Sequence, residues 1–332
     1  MTFIVNGAEW NFAGMTPEHV EALIDRVLDF VTISADRGEL VLIGDDLQSR
    51  PMYNEYTLWQ LFGEESPLQL SMEIGQELAA WLQRAQFYAD VLEWPSGVED
   101  AMISVGGAPT AQNEDLAWIH HGLRSGRPMA CVTLGSDYVT NSTSAAGSVE
   151  MHVVSSEVGR RRFWQAAIKI EGDSLVSLVN FASHAYPDLY FVDGVLSDAD
   201  HLAGGYLASR QRVQSALALL DAWGYWAFTQ PGPAIAPTDI VPSTAGKHPN
   251  NQLIEHRFNG FGLMAAPEKP DVRADRSSRE AREIVIGGRA LYCEWHIKLE
   301  PHRNRIHFHA PVLESGNKVV IGVIHEHLPL PH

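Results

Sequence analysis

"EWHIKLEPHRNRIHFHAP", residues 294–311, gathers Glu294, His296, Lys298, His302, Arg303, Arg305, His307 and His309 into one short stretch. In a strand, alternate side chains share a face. From Leu291 to Glu300 the odd positions, Leu291, Cys293, Trp295, Ile297 and Leu299, are all apolar. The even positions are Tyr292, Glu294, His296, Lys298 and Glu300. After a turn at Pro301-His302 the alternation resumes, with Ile306, Phe308 and Ala310 apolar and Arg303, Arg305, His307 and His309 polar. A two-residue loop would set Lys298 opposite Arg305 and His296 opposite His307. A four-residue loop would set Lys298 opposite His307 and His296 opposite His309. Both registers put the polar groups on one face of an antiparallel pair. A third strand, from Lys318 to Ile324, is apolar on both faces, as a strand flanked on both sides is, and it leads into His325-Glu326-His327.

Like charges facing one another across strands cost roughly 0.2–1 kcal/mol per pair. A sheet that carries them is suited to hold an anion or a metal ion; a solvated polar face is the plainer reading.

The chain has 332 residues, 45% hydrophobic and 20% charged, enough for two domains and ordinary for a folded globular protein. Its net charge is −17, yet from Asp271 onward nine Lys/Arg stand against eight Asp/Glu. All of the net negative charge therefore precedes that point, and any polyanion must meet the C-terminal segment. Seven of the 15 histidines lie from His296 onward. Two cysteines, Cys131 and Cys293, rule out a disulfide framework and fit a reducing compartment, though a single bridge stays open. The N-terminus lacks the pattern of a signal peptide, and ALALLDAWGYWAF is too short and too interrupted to cross a bilayer. A cytoplasmic protein that avoids the membrane is the expectation.

Along the chain, TFIVNG reads as a strand, and Thr16-Pro17-Glu18 opens a helix that ends near Gly38. Residues 39–44 read as a buried strand, and MEIGQELAAWLQRAQFYADVL as one long helix. EDLAWIHHGLRSGRPMACVTLG gives helix, turn and strand, while VGRRRFWQAAI, DSLVSLVNFASHAY and LASRQRVQSALALLDAWGYWAF are helical. His120-His121 reads as one buried and one exposed histidine, and Arg160-Arg161-Arg162 as a solvated helix turn. TQPGPAIAPTDIVPSTAGKHPNN reads as a connection. LIEHRFNGFGLM reads as a strand pair, and Ser277 with Glu280 as the capping box of a short helix. The fold class is thus a mixed α/β (or α+β) body over residues 1–228, a Pro/Gly-rich connection over 229–283, and a small β-rich antiparallel unit over 284–332.

The runs LYCEWHIKL, NRIHFHA and NKVVIGVIHEHLP resemble the closing strands of RelE/HigB-type toxin domains, small bacterial ribonucleases of toxin–antitoxin pairs. That resemblance implies cleavage of RNA without a metal or other cofactor, in a toxin or phage-defence setting. The ribose 2′-hydroxyl would attack the adjacent phosphate. Carried over by position, Arg305 would hold the phosphate with Lys298 as a second cation, and His296, His307 or His325 would act as base and acid. RNA would be the partner of the C-terminal unit, and an antitoxin or other protein a further one. The acidic body would restrain the basic face as an antitoxin does in trans.

The same residues also read as a metal site. His307 and His309 on one strand, His296 from its neighbour and a carboxylate from Glu314 or Glu294 suit Fe, Mn, Ni or Zn. "HFHAPVLE" resembles the H-x-H-x4-E core of cupin barrels. A third possibility is a non-catalytic interaction protein that uses the polar face to bind a partner.

Overall fold

The computed structural model describes residues 2–96, 98, 100–239 and 247–331. It divides the chain into two compact units, Met1–Glu171 and Gly172–His332. The class is as read from sequence, a mixed α/β fold with a largely antiparallel C-terminal sheet.

The first unit is built on an eight-stranded sheet. Five strands run parallel in the order Gln86–Phe87, Leu40–Ile43, Thr2–Val5, Met129–Val132 and Gly147–Val154. Tyr138–Ser144, Met102–Val105 and Ala111–Gln112 continue it antiparallel. Both faces of the parallel core are buried, which is why its strands read as unbroken apolar runs. On one face Phe3 packs edge-on against Phe30 of helix Pro17–Asp36 and Phe163 of helix Glu157–Ile170. On the other, Ile4 and Leu42 meet Leu116, Ile119 and Leu123 of helix Glu114–Arg124. Helices on both faces of a mostly parallel sheet make this a doubly wound unit.

Strand order reverses between Thr2–Val5 and Met129–Val132, the position where such sheets open a crevice at their carboxyl ends. Here the chain's own carboxylates fill it. Glu9 accepts hydrogen bonds from Asn6 Nδ2 at 2.9 Å, Leu134 N at 3.1 Å and the Thr133 hydroxyl. Asp115, 1% exposed, accepts from Gly7 N and Arg50 Nη1, both at 2.9 Å. Asp137 caps helix Glu157–Ile170, accepting from Ser155 N at 2.6 Å and from Ser156 N and Gly159 N at 3.1 Å. Gly159 is needed there, because a Cβ would stand 2.4 Å from Asp137 Oδ1.

The second unit carries a five-stranded sheet in the order Leu189–Phe191, Val319–His325, Arg303–His309, Trp295–Glu300 and Ala265–Pro267. All neighbours are antiparallel except Leu189–Phe191, which runs parallel to Val319–His325. Val319–His325 is flanked on both sides, as its two apolar faces predicted. Helices Gly205–Thr229 and Asn251–Gly260 cover one face, where Phe228 and Phe258 lie against Trp295 and Phe308 at centroid distances of 5.6–6.1 Å. The opposite face bears the histidines.

Several expectations are corrected. The boundary placed at residue 228 falls inside the second unit, because helices Leu175–Ala185 and Gly205–Thr229 and strand Leu189–Phe191 pack with the C-terminal sheet. The connection drawn over 229–283 contains helix Asn251–Gly260 in place of the strand pair, and an edge strand; residues 240–246 lie outside the described residues. Asp275, not Ser277, caps the short helix Arg276–Glu280 by accepting from Ser278 N. The long helix expected from Met72 stops at Leu82, because Gln86–Phe87 is drawn into parallel pairing with Leu42 and Ile43. The strand expected from Leu291 to Glu300 is broken at Cys293 and Glu294, which lets Arg289–Tyr292 fold into a hairpin with Glu283–Ile286. Arg160 is not solvated: it is 1% exposed, paired with Glu39 and stacked 3.8 Å above the Phe30 ring. Cys131 and Cys293 are free and buried.

His120 and His121 are both buried. The His120 ring is gripped by Ser142 Oγ at 2.8 Å and Ser144 Oγ at 2.9 Å. Burial, reinforced by His121 and Arg124, pulls its pKa down from 6.5 to about 4. Below pH 6.5 the unfolded chain takes up a proton that the folded chain refuses until about pH 4. His120 therefore contributes stability at neutral pH that is lost as the pH falls across that window. In urea titrations from pH 7 to pH 4, His120→Gln is expected to lose less stability than the native chain. Equal losses would contradict this role.

Candidate metal centre

Strand pairing builds the centre. The turn at Pro301-His302 gives the two-residue register, with Lys298 opposite Arg305, His296 opposite His307 and Trp295 opposite Phe308. His302 takes a positive φ of 69° to make it. Trp295 and Phe308 face the helices, so His296 and His307 side by side face the other way, their ring centroids 5.7 Å apart. On the far side of Trp295–Glu300, Ala266 pairs with His296. The chain then runs two residues on to Glu268, whose N–H donates to Glu294 O at 2.7 Å. That bond swings the Glu268 carboxylate over the histidine face.

Glu268 Oε1 lies 3.0 Å from His296 Nδ1, 3.1 Å from His307 Nδ1 and 3.1 Å from Arg282 Nε. The site is nearly sealed: His307 is 0% exposed, Arg282 2% and His296 9%. None of these close nitrogens meets Oε1 at a hydrogen-bonding angle, and all four atoms are buried without a hydrogen-bond partner. His307 Nε2 and Tyr292 Oη are orphaned beside them. Arg282 is anchored elsewhere, its Nη1 donating to Ser278 O at 2.7 Å and Pro329 O at 3.1 Å.

Burial works to raise the pKa of Glu268, but the imidazoles of His296 and His307 outweigh it and hold the carboxyl well below the usual range. Burial pulls His307 down to about 4, against the pull of Glu268. The site at neutral pH is thus an ionised carboxylate beside a neutral imidazole, the forms in which both bind a metal.

The surrounding shell is apolar. Ile284, Ile286 and Leu291 of the hairpin pack with Cys293 and Val320 next to the histidines. Gly322, at a break in register between Val319–His325 and Arg303–His309, permits this, because a Cβ there would meet Cys293 Sγ at 2.3 Å. Burial pushes the Cys293 thiol up to about 12, so it stays protonated.

The candidate residues thus fall into three groups. His296 and His307 join Glu268, whose donor atoms with theirs all lie within 4.8 Å, the metal-holding group among the described residues. Lys298, Arg305 and His325 lie across three adjacent strands on the same face, one pair farther along; Lys298 is exposed and the other two half-buried. His309 and Glu314 stand apart from the Glu268 cluster. His309 Nδ1 is 2.7 Å from Ala310 O, and Glu314 pairs with Arg289 at 2.7 Å. Glu268 and Arg282 escaped the sequence reading because nothing local marks them, lying in stretches read as connection.

Comparison with protein families, with curated proteins and with solved structures returns no match to the chain.

Arg282 has Glu268 as its buried counter-charge. Glu268→Gln keeps the side chain's size and removes the charge, so it leaves a buried guanidinium uncompensated, at a cost of about 3–5 kcal/mol. Urea denaturation at pH 7 in the presence of a chelator should show that loss. A change within about 0.5 kcal/mol, the size of an ordinary surface substitution, would contradict it.

Proposed function

We propose that the second unit binds a divalent first-row metal ion on Glu268, His296 and His307, and that the protein is a metal-dependent enzyme acting at that centre. The observation that carries this is the convergence of three buried, orphaned ligand atoms on one point. Ligands held about 2.0–2.2 Å from one ion at tetrahedral or octahedral angles stand roughly 3 Å or a little more from each other. The separations of 3.0 and 3.1 Å match that, whereas the angles serve no hydrogen bond. Two imidazoles and a carboxylate suit Zn, Fe(II), Mn or Ni, and three protein ligands leave a position for water or substrate. The ion would act as a Lewis acid there. Lys298 is the exposed residue on the same face, one pair farther along.

A second reading, metal-independent cleavage of RNA by a RelE-like face, draws on the row Lys298, Arg305 and His325. Arg305 and Lys298 stand side by side, suited to a phosphate. His307 contributes no acid or base in that reading, since it is fully buried.

Metal content of the full-length, untagged protein separates the two. Near-stoichiometric first-row metal, lost in both His296→Ala and His307→Gln, is the expected result. Absence of metal, together with RNA cleavage that persists in chelator and disappears in Arg305→Ala, would replace the metal centre with the nuclease face.

A further inference from the structure

The first unit holds a cavity of about 360 Å³ between strand Gly147–Val154 and helix Glu157–Ile170. Arg162, Ala166 and Lys169 line it from the helix, at spacings of four and three that put them on one face. Glu150 and His152 line it from the strand, two residues apart and so on one side of it. Leu123, Val149 and Ile170 join Ala166 in an apolar wall.

His152 is the informative group. It is 8% exposed, and its ring meets Phe163 edge-on at 6.0 Å. Its Nε2 is buried without a hydrogen-bond partner. Glu150 Oε1 stands 3.9 Å from Nε2, beyond hydrogen-bonding reach. Glu150 lines the same cavity, so that edge of the ring is turned toward it. A polar side chain buried to this degree ordinarily has a partner. Burial lowers the His152 pKa against the pull of Glu150, so the ring is neutral at pH 7 and carries one N–H.

The cations are a second, separate observation. The two arginines before Arg162 are taken up within the protein, Arg160 by Glu39 and Arg161 by Glu157. Arg162 and Lys169 are exposed and have no acidic partner among the described residues. They set two positive charges against the one carboxylate of Glu150, in a chain whose net charge is −17.

We infer that this cavity binds a small monocarboxylate with a short apolar body. Its oxygens take Arg162, Lys169 and the His152 N–H, and its body lies on the wall of Leu123, Val149, Ala166 and Ile170. An apolar cavity of a few hundred Å³ with a small number of polar groups is the usual form of a small-molecule site. Guanidinium and ammonium groups hold a carboxylate through charge-assisted hydrogen bonds. The balance of two cations and one carboxylate suits a single negative charge, and the apolar wall favours an organic anion over a bare one. The inference is independent of the metal centre, which lies in the other unit.

The test is calorimetric titration of the full chain with 4-methylpentanoate, with acetate and 3-methylbutylamine as comparisons. Saturable binding of 4-methylpentanoate is expected, tighter than that of acetate, which lacks the body, and of the amine, which lacks the charge. Arg162→Gln and Lys169→Gln, both at exposed positions, should each weaken it. His152→Phe keeps a ring beside Phe163 and removes the N–H, so it should weaken binding roughly tenfold. Glu150→Gln should tighten it, with circular dichroism confirming that each variant is folded. No binding of 4-methylpentanoate at millimolar concentration, acetate or the amine binding as tightly, or native affinity in His152→Phe or Arg162→Gln would each overturn the inference.

Discussion

The second unit is organised around one buried negative charge. A carboxylate taken out of water has to be compensated by groups placed for that purpose, since a lone buried ion is far costlier than the net stability of a domain. Around Glu268 the counter-charge is Arg282, and the rings of His296 and His307 stand at 3.0 and 3.1 Å. Each comes from a different element. Glu268 follows the edge strand, His296 and His307 sit on the two strands beside it, and Arg282 precedes the hairpin and reaches back to Ser278 and Pro329 near the end of the chain. The charge thus ties edge, sheet, hairpin and tail together, and the apolar cluster around Cys293 seals them from solvent.

The first unit handles its part-buried carboxylates differently, and the contrast bears on function. Glu9 and Asp137 accept several well-formed hydrogen bonds each from backbone N–H and hydroxyl donors, filling a crevice that similar sheets leave open for ligands. Those carboxylates are structural, and an anionic ligand would have to displace them. Glu268 is surrounded by nitrogens at comparable distances, none of which is aimed at it as a hydrogen-bond donor. An ion set among those atoms satisfies all three ligands at once, which the protein's own donors do not.

Much of this was legible in the sequence, for identifiable reasons. Strict alternation over residues 295–309 made the strand pair and its polar face readable, because a half-buried antiparallel pair writes its two faces in turn, but it left two registers open that the turn at Pro301-His302 decides. The parallel strands Thr2–Val5 and Leu40–Ile43 were equally clear as short apolar runs between helices. The hairpin Tyr138–Ser144 with Gly147–Val154 carried no such signal. Tyr138 and Val139 are both exposed, so apolar residues there do not alternate with polar ones. Half of the centre was hidden for a different reason. His296 and His307 are marked by their neighbours, whereas Glu268 and Arg282 acquire meaning only when tertiary folding brings an edge strand and a hairpin over the histidine face. His309 and Glu314 had the right spacing on paper, but the chain turns at Ala310 and carries Glu314 off to Arg289.

Glu268, His296 and His307 are proposed to share one ion. X-ray absorption at the metal edge of the protein loaded with one equivalent of Zn(II) reads that first shell directly. Two imidazole nitrogens with their outer-ring scattering, together with carboxylate oxygen at about 2.0–2.2 Å, is the expected result. A shell of water oxygens alone, without imidazole scattering, would contradict it and leave the cluster as a buried ion-pair network.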